Sequence, residues 1–355
     1  MRNTVLKTFL GQLSKGASGL RVENYLKGFL YLFLAFASTL FPLENPDPSF
    51  FKTLPKAELH LHLGGSFPLD YLIKVASDEE RRILNENLKK ASETVSYKEA
   101  FQMFKIVSQI VCTEDRVREG TYWLCEALKE DGVSYVEIRT GLKDLGLGFE
   151  NYLKAVLEGI ENAKSPGFKA YVALSLQRNS SLEIAKRTVS LALKYKERGV
   201  IGIDVSGYSE EGDIREILPV LSFAKAKGLG LLVHMGESPL ETDQMVILQA
   251  LNPDRIGHGV HLSEDAKQVI LEKKIPVEIC LSSSLCVQMI EKLEEHPWLF
   301  WGLQGHPIVI ATDDPLIFRS PLSREYSLLY EKLNWPIERI IELAQDSFKY
   351  TLKAE

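Results

Sequence analysis

The sequence predicts a closed (β/α)8 barrel carrying extra helices after its first strand and a short N-terminal extension. Eight short β-branched or apolar runs recur between residues 57 and 312. Most are separated by segments of helical period, and apolar strands alternating with helices imply a parallel sheet. The residues with chemistry to offer fall at the C-terminal ends of those runs, the face on which such barrels carry their sites. At 355 residues the chain exceeds the usual limit of one core, but α/β barrels routinely run this long as one domain. The barrel domain is therefore expected over 51–355, preceded by an extension over 1–50.

In chain order, the extension comes first. Residues 1–28 carry Arg2, Lys7, Lys15, Arg21 and Lys27 against one acid, Glu23. An apolar run follows from Phe29 to Phe41, shorter than the ~20 residues a membrane-spanning helix needs. It matches a signal-peptide core, with Ala35-Phe36-Ala37 resembling a cleavage site. The preceding basic segment is long for such a leader. We therefore expect an appended helix on a cytoplasmic protein with no stable membrane span, export or membrane association being the alternative. Asn45-Pro46-Asp47-Pro48 reads as the linker into the folded domain.

The strand candidates are Ala57–His62, Val133–Arg139, Lys169–Leu176, Val200–Val205, Gly230–His234, Arg255–His258, Ile275–Leu281 and Pro307–Thr312. Ser96-Tyr97-Lys98-Glu99 is a capping box opening a helix on which Phe101, Phe104, Val107 and Val111 share a face. Thr113 can cap the next helix, which Gly132 would end just before the second strand. The stretch from Pro68 to Asp131 is too long for one crossover helix and is expected to place extra helices over the barrel mouth.

Composition narrows the function. A net charge of -6 without a clustered basic stripe argues against a nucleic-acid partner. Cys112, Cys125, Cys280 and Cys286 form no CxxC pair, so they read as free core thiols. No repeat or low-complexity stretch interrupts the chain. A small-molecule substrate is the expected partner.

The organising stretch is Glu58-Leu59-His60-Leu61-His62-Leu63-Gly64-Gly65. A strand alternates faces, so His60 and His62 point to the same side. Two such imidazoles can grip one transition metal, at roughly 2.0–2.1 Å per bond for zinc. Alone, the pair could equally be one packed histidine and one surface histidine. Five of the seven histidines, however, sit in three short motifs. His234 ends the fifth run in Val233-His234-Met235-Gly236-Glu237, and His258 and His261 close the sixth in Gly257-His258-Gly259-Val260-His261. Asp313 and Asp314 end the eighth in Thr312-Asp313-Asp314-Pro315. A barrel would bring all four groups to one mouth.

As a set, these motifs resemble the adenosine deaminase family of metal-dependent hydrolases, from Leu54 to the C-terminal helices. Ser323-Arg324-Glu325-Tyr326 and the stretch 336–349 are included. The resemblance implies a hydrolytic deaminase that converts the 6-amino group of adenosine, or of a 5′-modified adenosine, to a 6-oxo group and releases ammonia. It implies one Zn²⁺ per chain, held by His60, His62, His234 and Asp313. It implies Glu237 as the proton donor to purine N1, His258 as the residue orienting the attacking water, and Asp314 as a contact to purine and water. It implies Gly207 as a backbone amide meeting purine N3. Substrate contacts are thus expected from His62, Gly64, Gly207 and Asp314. His261, His296 and His306 are expected to be structural.

Two positions depart from the family pattern. Adenosine-specific members carry an Asp where this chain has Gly64, and that Asp binds the ribose 5′-hydroxyl. Gly64 therefore points to a changed 5′ group, with methylthioadenosine, S-adenosylhomocysteine and 6-aminofutalosine as candidates. A free 5′-phosphate is disfavoured, since no Arg or Lys lies beside Gly64-Gly65-Ser66, the alternative being a cation supplied by a distant loop. The second departure is Cys280-Leu281-Ser282-Ser283-Ser284, where the family reads Cys-Pro-x-Ser-Asn.

Competing classes fit less well. A binuclear amidohydrolase needs a bridging Lys at the end of the fourth strand, and 200–207 holds none. Cytidine-type zinc deaminases need H-x-E with P-C-x-x-C, and neither occurs. A non-catalytic descendant would be expected to lose a ligand or the acid, and all are present.

Overall fold

A computed structural model describes residue 46 and residues 48–90, 97–207 and 213–353. Eight strands pair in parallel and in sequence order: β1 (Lys56–His62), β2 (Val133–Gly141), β3 (Lys169–Gln177), β4 (Val200–Ser206), β5 (Gly230–Met235), β6 (Arg255–His258), β7 (Val277–Ile279) and β8 (Ile308–Ile310). β8 meets β1 through a parallel bridge between Leu61 and Asp313. There His62 N donates to Asp313 O and Asp313 N to His60 O, each at 2.8 Å. The expected barrel is thus observed, and its closure falls on a predicted metal ligand.

Each strand buries both faces, but the two differ in chemistry. Val136, Ile138, Leu174, Val205, Val233, Ile279 and Ile310 join the main core. The alternate positions carry Glu137, Arg139, Asp204, His234 and Glu278, all buried. Runs that read as apolar throughout therefore hide a charged inner face. β1 has an irregular register between Glu58 and Leu61. Ala57 and Leu59 pack with Tyr135 and Val309 in a separate small core, whereas Leu61 joins the main one. A bulge of this kind re-aims the side chains that follow it. Below this level Leu352 fills the space over Gly202 and Gly230, where an added Cβ would lie 2.8 and 2.4 Å from its methyl groups.

The connections follow local rules. Thr113 accepts from Arg116 N and opens the helix Glu114–Glu130, and Ser181 and Ser263 cap the helices Leu182–Lys194 and Glu264–Lys273 in the same way. Gly132, at φ +80°, turns the chain into β2 where an added Cβ would meet Lys52 O at 1.9 Å. Among the described residues four α-helices follow β1 before β2: Leu69–Val75, Asp78–Lys90, Tyr97–Ile110 and Glu114–Glu130. On the third, Val107 is buried and Phe104 partly so, followed by buried Val111. The proposed box residue Ser96 lies outside the described residues. β7 and β8 are shorter than expected. The helix Leu281–Cys286 begins directly after Cys280, and Pro276 and Pro307 contribute only carbonyls, accepting from Ile256 N and Val277 N.

Among the described residues no helix is long and apolar enough to cross a membrane. The apolar run over 29–41 and the sequence before it lie outside the described residues.

His296 and His306 are packed side chains, as expected. His306 stacks on Trp298 at 5.0 Å and contacts Ile275 O through Nε2 at 3.0 Å. His296 is 2% exposed with neither ring nitrogen hydrogen-bonded. Burial lowers its pKa from an ordinary 6.5 to about 3. The folded protein keeps it neutral while the unfolded chain takes up a proton, so stability present above pH 6.5 is lost as pH falls toward 3. At pH 5 the loss is about 2 kcal/mol. His296→Leu is expected to remove that much of the drop in urea stability between pH 7 and pH 5. An equal drop in variant and wild type would refute it.

Candidate metal centre and active site

The bulge in β1 sends His60 and His62 into the mouth, β5 delivers His234, and the residue after Thr312 delivers Asp313. One ligand atom from each lies within 4.8 Å of all the others. His62 Nε2 stands 3.3 Å from His60 Nε2 and 3.0 Å from His234 Nε2. Asp313 Oδ1 lies 3.5 Å from His60 Nε2 and 3.4 Å from His62 Nε2. Four tetrahedral ligands around a zinc with ~2.0–2.1 Å bonds sit about 3.3 Å apart. Burial pushes the His62 pKa down to about 3, so its ring is neutral and offers a lone pair.

The far sides of two rings fix their orientation. His60 Nδ1 faces Glu278 Oε2 at 2.7 Å. His234 Nδ1 faces Val205 O at 3.1 Å and Asp204 Oδ1 at 3.2 Å. Both rings therefore carry the proton on Nδ1 and turn Nε2 inward. Arg139 joins the two carboxylates, donating to Asp204 at 3.0 Å and to both Glu278 oxygens at 2.6 Å. Arg255 Nε donates to Glu278 at 2.7 Å, and its NH2 pairs with Glu137. Such outer partners orient the ligands and raise their basicity. The residues fit a divalent metal of the zinc type.

Glycines clear the space these groups need. An added Cβ at Gly257 would lie 2.8 Å from His60 Cε1, and one at Gly65 only 1.9 Å from Asp314 Oδ1. Asp313 and His258 both hold φ +64°, a conformation costing about 1–3 kcal/mol in a non-glycine residue. In Asp313 the closure bonds to β1 enforce it.

The remaining predicted residues surround this centre. His258 Nε2 lies 3.8 Å from Glu237 Oε1. Burial holds the His258 pKa well below 6.5, and its Nδ1 has no hydrogen-bond partner. Burial, with Asp313 beside it, raises the Asp314 carboxyl well above the usual range. Gly207, at φ +90°, ends β4 and lines the same cavity as Gly64, Glu237, His258 and Asp314. That cavity holds about 360 Å³. His261 stays outside this lining; its N–H donates to Gly236 O at 2.7 Å.

Both departures now have a setting. Ser283 Oγ donates to Asp313 Oδ2 at 2.7 Å, so the altered segment after β7 still braces a predicted ligand. Ser284 Oγ is buried without a partner, and nothing in the structure explains that substitution. Gly64 faces the helix Tyr97–Ile110, where an added Cβ would rest 3.5 Å from the Phe104 ring. One turn on, Ser108 Oγ accepts from Lys143 Nζ at 3.0 Å. Lys143 comes from the loop after β2 and lines the cavity. Burial lowers its pKa, and among the described residues no carboxylate pairs with it. A cation absent from the sequence around Gly64 is thus supplied by a distant loop. This removes the ground on which a 5′-phosphate was disfavoured.

Sequence reasoning missed Arg139, Asp204, Glu278, Ser108 and Lys143. The first three had a signal: isolated charges inside largely apolar strands, Asp204 and Glu278 alone in theirs and Arg139 two residues after Glu137. Ser108 and Lys143 had none, because only the fold brings that helix and that loop together.

Comparison with known proteins agrees with this geometry. A family model described as Adenosine deaminase matches residues 55–354. The chain is 31% identical over 329 residues to an N6-Methyl-AMP deaminase of Danio rerio, covering 88% of this chain and 94% of that protein. It is 29% identical over 292 residues to an Adenosine deaminase of Clostridium botulinum, covering 79% and 87%. Among solved structures it resembles Arabidopsis ADAL complexed with IMP, with a TM-score of 0.78 and 28% identity over 86% of this chain and 94% of that one.

Proposed function

The chain belongs to the adenosine deaminase family and is an aminohydrolase of the adenosine type, and from that premise we propose that its substrate is a 6-amino- or 6-methylaminopurine nucleoside 5′-monophosphate. The observation that carries this reading is Lys143, a half-buried ammonium that pairs with no carboxylate among the described residues and meets Ser108, one helical turn beyond the Phe104 ring that faces Gly64. A phosphate would supply the missing anion, with Ser108 beside it as a second donor. Relatives named for N6-methyl-AMP, and the likeness to a structure holding IMP, support the same choice.

One zinc per chain would be held by His60, His62, His234 and Asp313. When bound it would supply Lewis acidity that makes hydroxide available near neutral pH. His258, neutral and rigidly held, accepts a hydrogen bond from the attacking water and aims it at purine C6. Asp314 contacts the purine ring and the attacking water, while the Gly207 amide meets N3. Glu237 gives a proton to N1, so negative charge does not accumulate on the ring as C6–O forms. The resulting carboxylate takes up the proton of the new C6 hydroxyl and passes it to the leaving nitrogen as C6–N6 breaks, releasing ammonia or methylamine and leaving the 6-oxo nucleotide with N1 protonated.

The test compares kcat/KM for AMP, N6-methyl-AMP and the corresponding nucleosides. The wild-type enzyme is expected to favour the nucleotides by ten-fold or more. Lys143→Met is expected to lose about 10–10²-fold on nucleotides alone, the value of a hydrogen bond to a charged group. Gly64→Asp has room for its Cβ and would set a carboxylate near Lys143, which should swing preference toward nucleosides. Wild-type preference for plain adenosine by ten-fold would sink the phosphate reading and favour the nucleoside alternative.

We place the enzyme in the cytoplasm, with residues 29–41 as an appended segment that is retained. Mass spectrometry of the mature N terminus checks this: a chain beginning at Ser38 would mean a cleaved leader.

A further inference from the structure

The loop after β5 carries Glu237, and its base is pinned by one buried side chain from a different strand. Arg178 follows β3, tied by its own N–H to Ser206 O at 3.0 Å, and is 2% exposed. Its NH1 donates to both oxygens of Asp243, at 2.7 and 2.8 Å. Its NH2 donates to Glu241 Oε1 and to the carbonyl of His234, both at 2.7 Å. The other oxygen of Glu241 accepts the Gly236 N–H at 2.5 Å. Gly236 sits at φ +73°, and its carbonyl accepts from His261 N at 2.7 Å. The guanidinium thus holds the loop before Glu237 through His234 O, and after it through Glu241 and Asp243. The Glu241 carboxylate links back to the amide immediately preceding Glu237. Beyond this base, Leu240 at the tip of the loop is 67% exposed.

We propose that Arg178 is a positioning residue for the reaction, a three-point clamp that sets where the Glu237 carboxyl stands against His258 and the purine. The inference rests on the proton-donor role given to Glu237 above. A planar fork can meet three acceptors at fixed angles, whereas an ammonium on a flexible stem offers one compact charge. A displacement of about 1 Å in a reacting group can cost on the order of 10²-fold in rate. Arg178 does not reach the cavity lining, so substrate and product affinity should be insensitive to it.

The experiment is a cycle of Arg178→Lys and Glu237→Gln in the metal-loaded enzyme, with metal content, IMP affinity and kcat measured for each. Arg178→Lys is expected to lower kcat by about 10–10²-fold while IMP affinity stays within about three-fold and metal content is unchanged. In the Glu237→Gln background the same substitution is expected to cost less than about two-fold, since the group it positions no longer transfers a proton. Wild-type kcat in Arg178→Lys, or an equal fractional loss in both backgrounds, would overturn the clamp. Should Arg178→Lys fail to fold, Glu241→Gln carries the same test. It presents an amide donor to Gly236 N–H or to the guanidinium, cutting one of the two links, and its loss must again vanish in the Glu237→Gln background. Unchanged turnover in Glu237→Gln alone would instead remove the proton-donor reading, a result distinct from any outcome for Arg178.

Discussion

Replacing Glu237 by Gln is expected to lower kcat by about 10²–10⁴-fold, the usual cost of losing a positioned general acid, with one equivalent of metal per chain retained. Gln keeps the volume and the donor capacity of a protonated carboxyl but cannot give up a proton. The separation of roles follows from the geometry. Glu237 stands three residues after His234 and faces His258 at 3.8 Å, whereas the atoms that converge closely enough to hold a metal come from His60, His62, His234 and Asp313. Among the described residues that is one group of metal-holding type, and β4 ends at Ser206, followed by Gly207, with no lysine there to bridge a second ion. Steady-state turnover with AMP or N6-methyl-AMP, read beside elemental analysis, decides the matter. Unchanged turnover, loss of the metal with the carboxylate, or two metals per chain would each overturn the assignment.

The cluster of His60, His62, His234 and Asp313 was legible because its members fall at or just beyond the C-terminal ends of strands, and strand ends in a parallel barrel share one mouth. The barrel itself was legible from the spacing of β-branched runs. The lengths of β7 and β8 were not. A helix starting at Leu281 and two prolines cut them short, and both are local events inside apolar sequence. The charged inner layer was only partly legible. Glu137, Arg139, Asp204 and Glu278 stand in strands whose other residues read as plain core, and their pairing depends on register. His62 lies opposite Arg139, and Glu278 opposite Gly257. No periodicity predicts which charges meet. The phosphate reading shows the same limit from the other side. Gly64 announced a missing carboxylate, while the cation that gives its absence meaning comes from a loop about eighty residues later.

Glu278→Gln is expected to damage stability and metal binding together, because this carboxylate joins two arginines to one of the proposed metal ligands. It accepts from Arg139 at 2.6 Å and Arg255 at 2.7 Å and faces His60 Nδ1 at 2.7 Å. Glu278, Arg139 and His60 are fully buried, and Arg255 is 1% exposed. Both guanidiniums hold the Glu278 carboxyl well below the usual carboxylate range against the opposing pull of burial. Gln has one acceptor and two donors, so at least one of the three partners would meet an N–H where it needs an oxygen. Breaking a buried charge pair by removing one member costs about 3–5 kcal/mol, and loss of the group that orients a ligand histidine costs about 10–100-fold in metal affinity. Arg139 keeps Asp204, and Arg255 keeps Glu137, so the fold should survive with reduced stability. Urea unfolding gives the first quantity and competition against a chelator gives the second. A variant that loses stability yet binds metal as tightly as wild type would show that the network only supports the barrel. A loss in both would show that the charges inside the barrel are what hold His60 in its ligating orientation.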